Sequence, residues 1–148
     1  MYQRILVPID GSPTSDKGLS EAISLARLTG GRIRLLHVID ALPVAVGADA
    51  FAGYSAEILP LMREGGQAIL DQARQRVVEA GVSVDTTMRE IIAGRVCDLV
   101  LEEAAGWLAD IIVLGTHGRR GVRRLMLGSD AEQILRSAPV PVLLVHGS

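Results

Sequence analysis

Gly115-Thr116-His117-Gly118, followed after nine further residues by Gly128-Ser129, is the segment of this sequence best suited to chemistry. Glycines in a loop let backbone N–H groups approach an oxyanion closely, and a helix starting behind the last of them adds unpaired donors and a partial positive charge. The pattern reads as an anion site. Four cations, Arg119, Arg120, Arg123 and Arg124, stand between Gly118 and Gly128 and could reach the same anion. A second candidate is Asp10-Gly11-Ser12, where an acid ends an apolar run; beside the first segment it would complete a nucleotide site by facing ribose hydroxyls. There is no GxxxxGK[ST] loop and no GxGxxG turn. Neither a Walker-type NTPase nor a dinucleotide-binding protein is therefore indicated, and a triphosphate would be held mainly by backbone.

These segments need elements to position them, and the chain supplies apolar runs alternating with stretches of helical period, the pattern of a parallel sheet covered on both faces. The run Ile5-Leu6-Val7-Pro8-Ile9 leads into a helix that Ser12 can cap and Pro13 can open, with Leu19, Ala22, Ile23 and Ala26 on one face. A second strand spans Ile33 to Ile39. From Asp40 to Ser55 periodicity is lost, and this stretch is expected to be a mobile loop. A long helix is expected from Glu57 to Ala80, weakened at Gly65-Gly66, then an edge strand from Val82 to Ile91. Gly94 precedes a helix carrying Val96, Val100 and Trp107; Ile111 to Leu114 is an interior strand that breaks at Gly115. The last helix begins near Ser129 with Ala131, Ile134, Leu135 and Ala138 on its apolar face, before the strand Val142 to Val145. The expectation is five strands and four helices in one α/β domain spanning 1–148.

Composition sets outer bounds. The 148 residues are 49% hydrophobic but only 3% aromatic, so the core must be aliphatic, and a net charge of −2 gives no global attraction to nucleic acid or anionic membrane. The arginine loop has no aromatic platform of the kind single-strand recognition uses, which argues against nucleic acid. Cys97 is the single cysteine and cannot form an internal disulfide, which fits a reducing compartment. No apolar run approaches the ~18 residues of a membrane span, and no signal-peptide pattern opens the chain. A cytoplasmic protein is expected.

The sequence resembles the universal stress proteins, and within them the branch that binds ATP. The resemblance rests on Ile5-Leu6-Val7-Pro8-Ile9-Asp10-Gly11-Ser12, on Leu36-His37-Val38-Ile39, on G-x2-G-x9-G-[ST] at Gly115, Gly118, Gly128 and Ser129, and on Pro139-Val140-Pro141-Val142-Leu143. It covers essentially the whole chain. It implies an open sheet of strand order 3-2-1-4-5 and a homodimer formed through the last strands, Val142 to Val145. It further implies ATP as ligand, with or without Mg²⁺. By resemblance, Pro8 and Asp10 lie at the ribose side, Val38 lines the adenine pocket, and Leu114 and Gly115 form the pocket floor. Gly118, Gly128 and Ser129 surround the phosphates, with His117 and Arg119 from the same loop.

One position departs from that pattern. Asp130, directly after Gly128-Ser129, stands where ATP-binding relatives often carry a small apolar residue, and its charge would oppose phosphate. At ~6 Å and an effective dielectric near 20 the repulsion is roughly 3 kcal/mol per phosphate charge, less where solvent enters, which leaves about tenfold or more in affinity. Structural explanations stand beside the functional ones. Ser129-x-x-Glu132 reads as a capping box, Asp10 as a helix cap or turn organiser, and Cys97 and Trp107 as packing residues. His117 has the right native pKa range for acid–base work, yet nothing in the sequence supplies a partner, which leaves it a loop residue or a phosphate contact. Three functions remain open: an ATP-binding stress-response regulator acting through its dimer or a protein partner, a nucleotide-free dimeric interaction module, and a slow Mg²⁺-dependent ATPase.

Overall fold

The computed structural model describes residues 1–41, 52–91, 93–116 and 128–146, with the backbone alone for 52–57. Five strands, β1 (Arg4–Pro8), β2 (Arg32–Asp40), β3 (Ser83–Ile91), β4 (Ile111–Gly115) and β5 (Val142–Val145), form one sheet. All neighbours are parallel and the order is β3-β2-β1-β4-β5, as expected. Four helices connect them: α1 (Pro13–Thr29), α2 (Ala52–Glu79), α3 (Val96–Trp107) and α4 (Ser129–Ser137).

Successive side chains of a strand point to opposite faces, so strand parity decides which helix each residue meets. Ile5 and Val7 of β1, Ile33 and Leu35 of β2, and Ile111 and Val113 of β4 are buried with Leu19, Ala22 and Ala26 of α1 and Leu70, Ala73 and Val77 of α2. The intervening Leu6, Leu36, Ile112 and Leu114 are buried on the other face with Cys97, Val100, Ala104 and Trp107 of α3 and Ile134 of α4. Burying each of these aliphatic side chains stabilises the fold by about 1.5–3 kcal/mol, the main source of cohesion in a core nearly free of aromatics.

Helix α1 starts as its sequence dictates: Ser12 accepts a hydrogen bond from the Ser15 N–H at 3.1 Å and Pro13 occupies the first turn. One sequence expectation needs correction. Helix α2 begins at Ala52, not Glu57, so the expected Asp40–Ser55 loop loses its last four residues to helix and Asp40 to β2; residues 42–51 lie outside the described residues. Gly65-Gly66 lies inside the continuous α2, as expected, and a Cβ on Gly66 would stand 2.7 Å from His37 Cδ2 and 2.9 Å from Met88 Sδ. The missing side chain lets the helix settle on the sheet, and packing outweighs the ~1 kcal/mol propensity penalty.

The chain proceeds from β1 through α1, β2 and α2 to β3 on one side of β1, then returns through α3 to β4 on the other. Strand order therefore reverses between β1 and β4. The Asp110 carboxylate fixes that junction from below, accepting hydrogen bonds from the N–H groups of Gln3 at 2.9 Å and Arg4 at 3.1 Å. At the carboxyl ends the two strands part to open a crevice, the usual ligand position in an open parallel sheet.

Candidate functional site

A cleft of about 350 Å³ lies at that reversal point. Its apolar part is built from Leu36, Val38, Val96, Val100, Leu114 and Ile134, all on the face covered by α3 and α4. Its polar part comprises Asp10, Ser12, Ser15, Gly115, Thr116, Gly128, Ser129 and Asp130. Of the site residues expected from sequence, Pro8, Asp10, Val38, Leu114, Gly115, Gly128, Ser129 and Asp130 line this one cleft, whereas His117, Gly118 and Arg119 lie outside the described residues. Sequence reasoning missed Thr116, Ser12 and Ser15 as lining groups. Thr116 sits inside the glycine motif itself; the two serines belong to the turn after β1 and carry only a capping signal.

Three helices begin around the cleft, and each brings unpaired N–H groups and partial positive charge. They differ in what satisfies those groups. At α1 the Ser12 hydroxyl serves as cap, as above. The Asp10 carboxylate accepts from the Ser12 N–H at 2.9 Å, while the Asp10 N–H donates to Ser15 Oγ at 3.1 Å. Asp10 thus organises the turn and does not cap the helix. At α3, Asp98 accepts from the Arg95 N–H at 3.3 Å, and Asp130 Oδ1 accepts from the Cys97 N–H at 3.2 Å.

Helix α4 is the exception. The expected Ser129–Glu132 capping box does not form: the cap is Gly128, which has no side chain to offer, and Ser129 is already in the first turn. Glu132 instead pairs with Arg136 at 2.8 Å, one turn on. Gly128 adopts φ −61° and ψ 152°, a conformation open to any residue, and no heavy atom among the described residues lies within 4 Å of where its Cβ would stand. Nothing in the described fold requires glycine there. Its effect is that no side chain caps the first turn of α4 among the described residues, and N–H groups free at a helix start are what an anion site needs.

Gly115 is different. A Cβ there would stand 2.7 Å from the Thr14 carbonyl oxygen, and a Cβ on Gly18 would stand 3.3 Å from the Gly115 nitrogen. The first helix therefore crosses directly over the end of β4, and Gly115 permits that crossing whatever the cleft holds.

The structure also changes the meaning of Asp130. Its carboxylate, 46% exposed, is hydrogen-bonded to the start of α3 and lies 3.9 Å from the Arg95 guanidinium. The charge expected to face phosphate is partly balanced by a helix terminus and a cation. Cys97 is fully buried beneath this contact, and burial, followed by the neighbouring Asp130 carboxylate, pushes its thiol up from the usual range, so it is a packing residue and a poor nucleophile. Trp107 is packed too, 5% exposed, with the Arg4 and Arg34 guanidinium carbons 4.9 and 4.8 Å from its ring centroid. Among the described residues no group of three His, Cys, Asp or Glu side chains is arranged to hold a metal ion, and no helix is long and apolar enough to cross a membrane.

Known proteins are similar to this chain in sequence and fold. A family model described as the universal stress protein family matches residues 1–146. Over 145 residues the chain is 34% identical to a universal stress protein of Methanocaldococcus jannaschii, covering 98% of this chain and 82% of the relative. Its fold matches that of hypothetical protein MJ0577 with a TM-score of 0.87 at 25% identity, covering 100% of this chain and 98% of the other. It also matches, with a TM-score of 0.69 at 20% identity and 97% and 98% coverage, a universal stress protein from Archaeoglobus fulgidus in complex with dAMP, a likeness of fold.

Proposed function

We propose that this protein, which belongs to the universal stress protein family, binds an adenine nucleotide, ATP foremost, in the cleft between β1 and β4 and acts as a stress-response regulator. The observation that carries this is the division of one cleft into an aliphatic part and a polar part that ends on a helix terminus with no side-chain cap among the described residues. Val38, Val96, Val100 and Leu114 would hold the base and Asp10 the ribose. The first turn of α4, reached across Gly128 and Ser129, would hold the phosphates through backbone donors. A pocket of this size with an apolar body and a few fixed polar groups suits a small ligand. His117, Gly118 and Arg119 belong to the proposal on sequence grounds alone. A Mg²⁺ ion would be held by the phosphates, with Asp10 and Asp130 the acids that line the cleft.

Regulation would run through a homodimer, or through a protein partner, in the cytoplasm. Strand β5 is the edge suited to self-pairing, since its outer side is unpaired and Leu143 is 38% exposed on it. The opposite edge, β3, is guarded by charge: Asp85 pairs with Arg34 at 2.7 Å and Glu90 with Arg63 at 2.9 Å. Pairing of β5 with its copy would cover an apolar edge by twofold symmetry.

Calorimetric titration with ATP, with and without Mg²⁺, tests the nucleotide reading, with Gly128→Val as control because a side chain there meets no described neighbour. Saturable binding that the variant loses is expected. No binding at millimolar ATP would instead favour a nucleotide-free dimeric module.

A further inference from the structure

We infer that His37 is a positioning residue for the cleft: its ring fixes the Ile9–Asp10 peptide and, through it, the acid that would read the ribose hydroxyls of the nucleotide. The inference rests on the nucleotide reading above. Asp10 stands just past the end of β1, where the ladder closes with the Ile9 N–H donating to the Leu36 carbonyl at 2.8 Å. Beyond that bond, side chains of β2 and α1 take over. His37 Nδ1 lies 2.9 Å from the Ile9 carbonyl oxygen, and the N–H of the same peptide unit, that of Asp10, donates to Ser15 Oγ at 3.1 Å. A carbonyl only accepts, so Nδ1 carries the proton and donates.

A peptide unit is planar, so one bond on its C=O and another on its N–H fix the plane and with it the direction in which the chain enters Asp10. The Asp10 carboxylate is then held through Oδ1 by the Ser12 N–H at 2.9 Å, while the residue lines the cleft. That leaves Oδ2 for a ligand hydroxyl. The ring itself is confined: His37 is 6% exposed, and α2 crosses it so closely that a Cβ on Gly66 would stand 2.7 Å from Cδ2 and 3.2 Å from Nε2. On the same face of β1 and β2 the buried side chains Val7, Ile33 and Leu35 are aliphatic. Packing alone would be served by another such side chain, and a buried imidazole costs desolvation that only its hydrogen bond offsets. What the imidazole adds is the donor to Ile9. A binding group must be held within about 0.5 Å of its working position, and a chain that has left its strand has no ladder to hold it there. His37 and Ser15 substitute for that ladder.

Wild type, His37→Leu and His37→Asn would be titrated calorimetrically with ATP and with dideoxy-ATP, which lacks both ribose hydroxyls. Leucine and asparagine have nearly one shape, and only asparagine offers an N–H close to the position of Nδ1. Wild type should favour ATP over the dideoxy nucleotide by about tenfold or more. In His37→Leu that preference should fall to about twofold or less with dideoxy-ATP bound as in wild type, and His37→Asn should restore most of it. A leucine variant that keeps the wild-type preference, whether or not it weakens both nucleotides together, would overturn the inference by reducing His37 to packing. Asparagine behaving as leucine does would overturn it too. Should the leucine variant not fold, Ser15→Ala frees the same peptide at its N–H and must lose the preference in its place; an unchanged preference there overturns the inference. Wild type that binds ATP and dideoxy-ATP equally would remove the ribose role of Asp10 and the inference with it, whereas wild type that binds neither would show that the nucleotide reading itself fails.

Discussion

Replacing Asp130 with Ala and, separately, with Asn distinguishes the two roles a carboxylate can play at the mouth of the cleft. Its hydrogen bond to the Cys97 N–H at 3.2 Å makes it a cap for α3 supplied from α4. Losing such a cap costs about 1 kcal/mol. The Arg95 contact at 3.9 Å joins two half-exposed side chains and adds at most a few tenths of a kcal/mol. Asp130→Ala should therefore lower stability by about 1 kcal/mol, or about 3 °C in melting temperature. Asn keeps an acceptor oxygen and should recover most of that.

Both variants delete the charge. Were the carboxylate turned toward phosphate in a dielectric near 20, its removal would tighten ATP by about tenfold or more. With half its surface in water and its charge partly balanced, an effective dielectric between about 40 and 80 at ~6 Å leaves about 1 kcal/mol, roughly a fivefold gain. Urea melts and calorimetry with ATP measure the two effects. A tightening of tenfold or more in both variants with unchanged stability would refute the capping role.

The two cleft glycines should respond oppositely to Ala. Gly115→Ala places a methyl group 2.7 Å from the Thr14 carbonyl and should destabilise the fold by about 1–3 kcal/mol in denaturant melts, whereas Gly128→Ala should fold within about 1 kcal/mol of wild type, so that a fall in its ATP affinity reports the ligand. Leu143→Lys should give monomer in analytical ultracentrifugation; a persisting dimer would place the interface elsewhere. The Arg63 guanidinium holds the Glu90 carboxyl below its usual value, so the pair stabilises the fold above the ordinary carboxylate pKa and the contribution is lost as pH falls through the depressed one. Arg63→Gln should remove that slice of acid sensitivity, with the difference closing once pH has fallen through the depressed carboxyl pKa and shrinking in high salt, as acid titrations followed by circular dichroism would record.

What the sequence determined by itself was mostly local. Strand parity, Ser12 as cap and the glycine break after Leu114 act over one to four residues, and so their consequences are readable from the chain. The resemblance supplied strand order, which no local pattern encodes. The tertiary structure decided what depends on distant neighbours. Gly115 is required because Thr14 of α1 crosses it, Gly66 because His37 lies beneath it, and Asp130 caps a helix 33 residues earlier in the chain. The capping box at Ser129 failed for the same reason: a pattern of spacing cannot say where a helix starts once packing against the sheet makes Gly128 the cap. Thr116 shows the limit most clearly. A threonine in a glycine loop is unremarkable in sequence, and only the folded surroundings show that its hydroxyl is buried with no hydrogen-bond partner among the described residues.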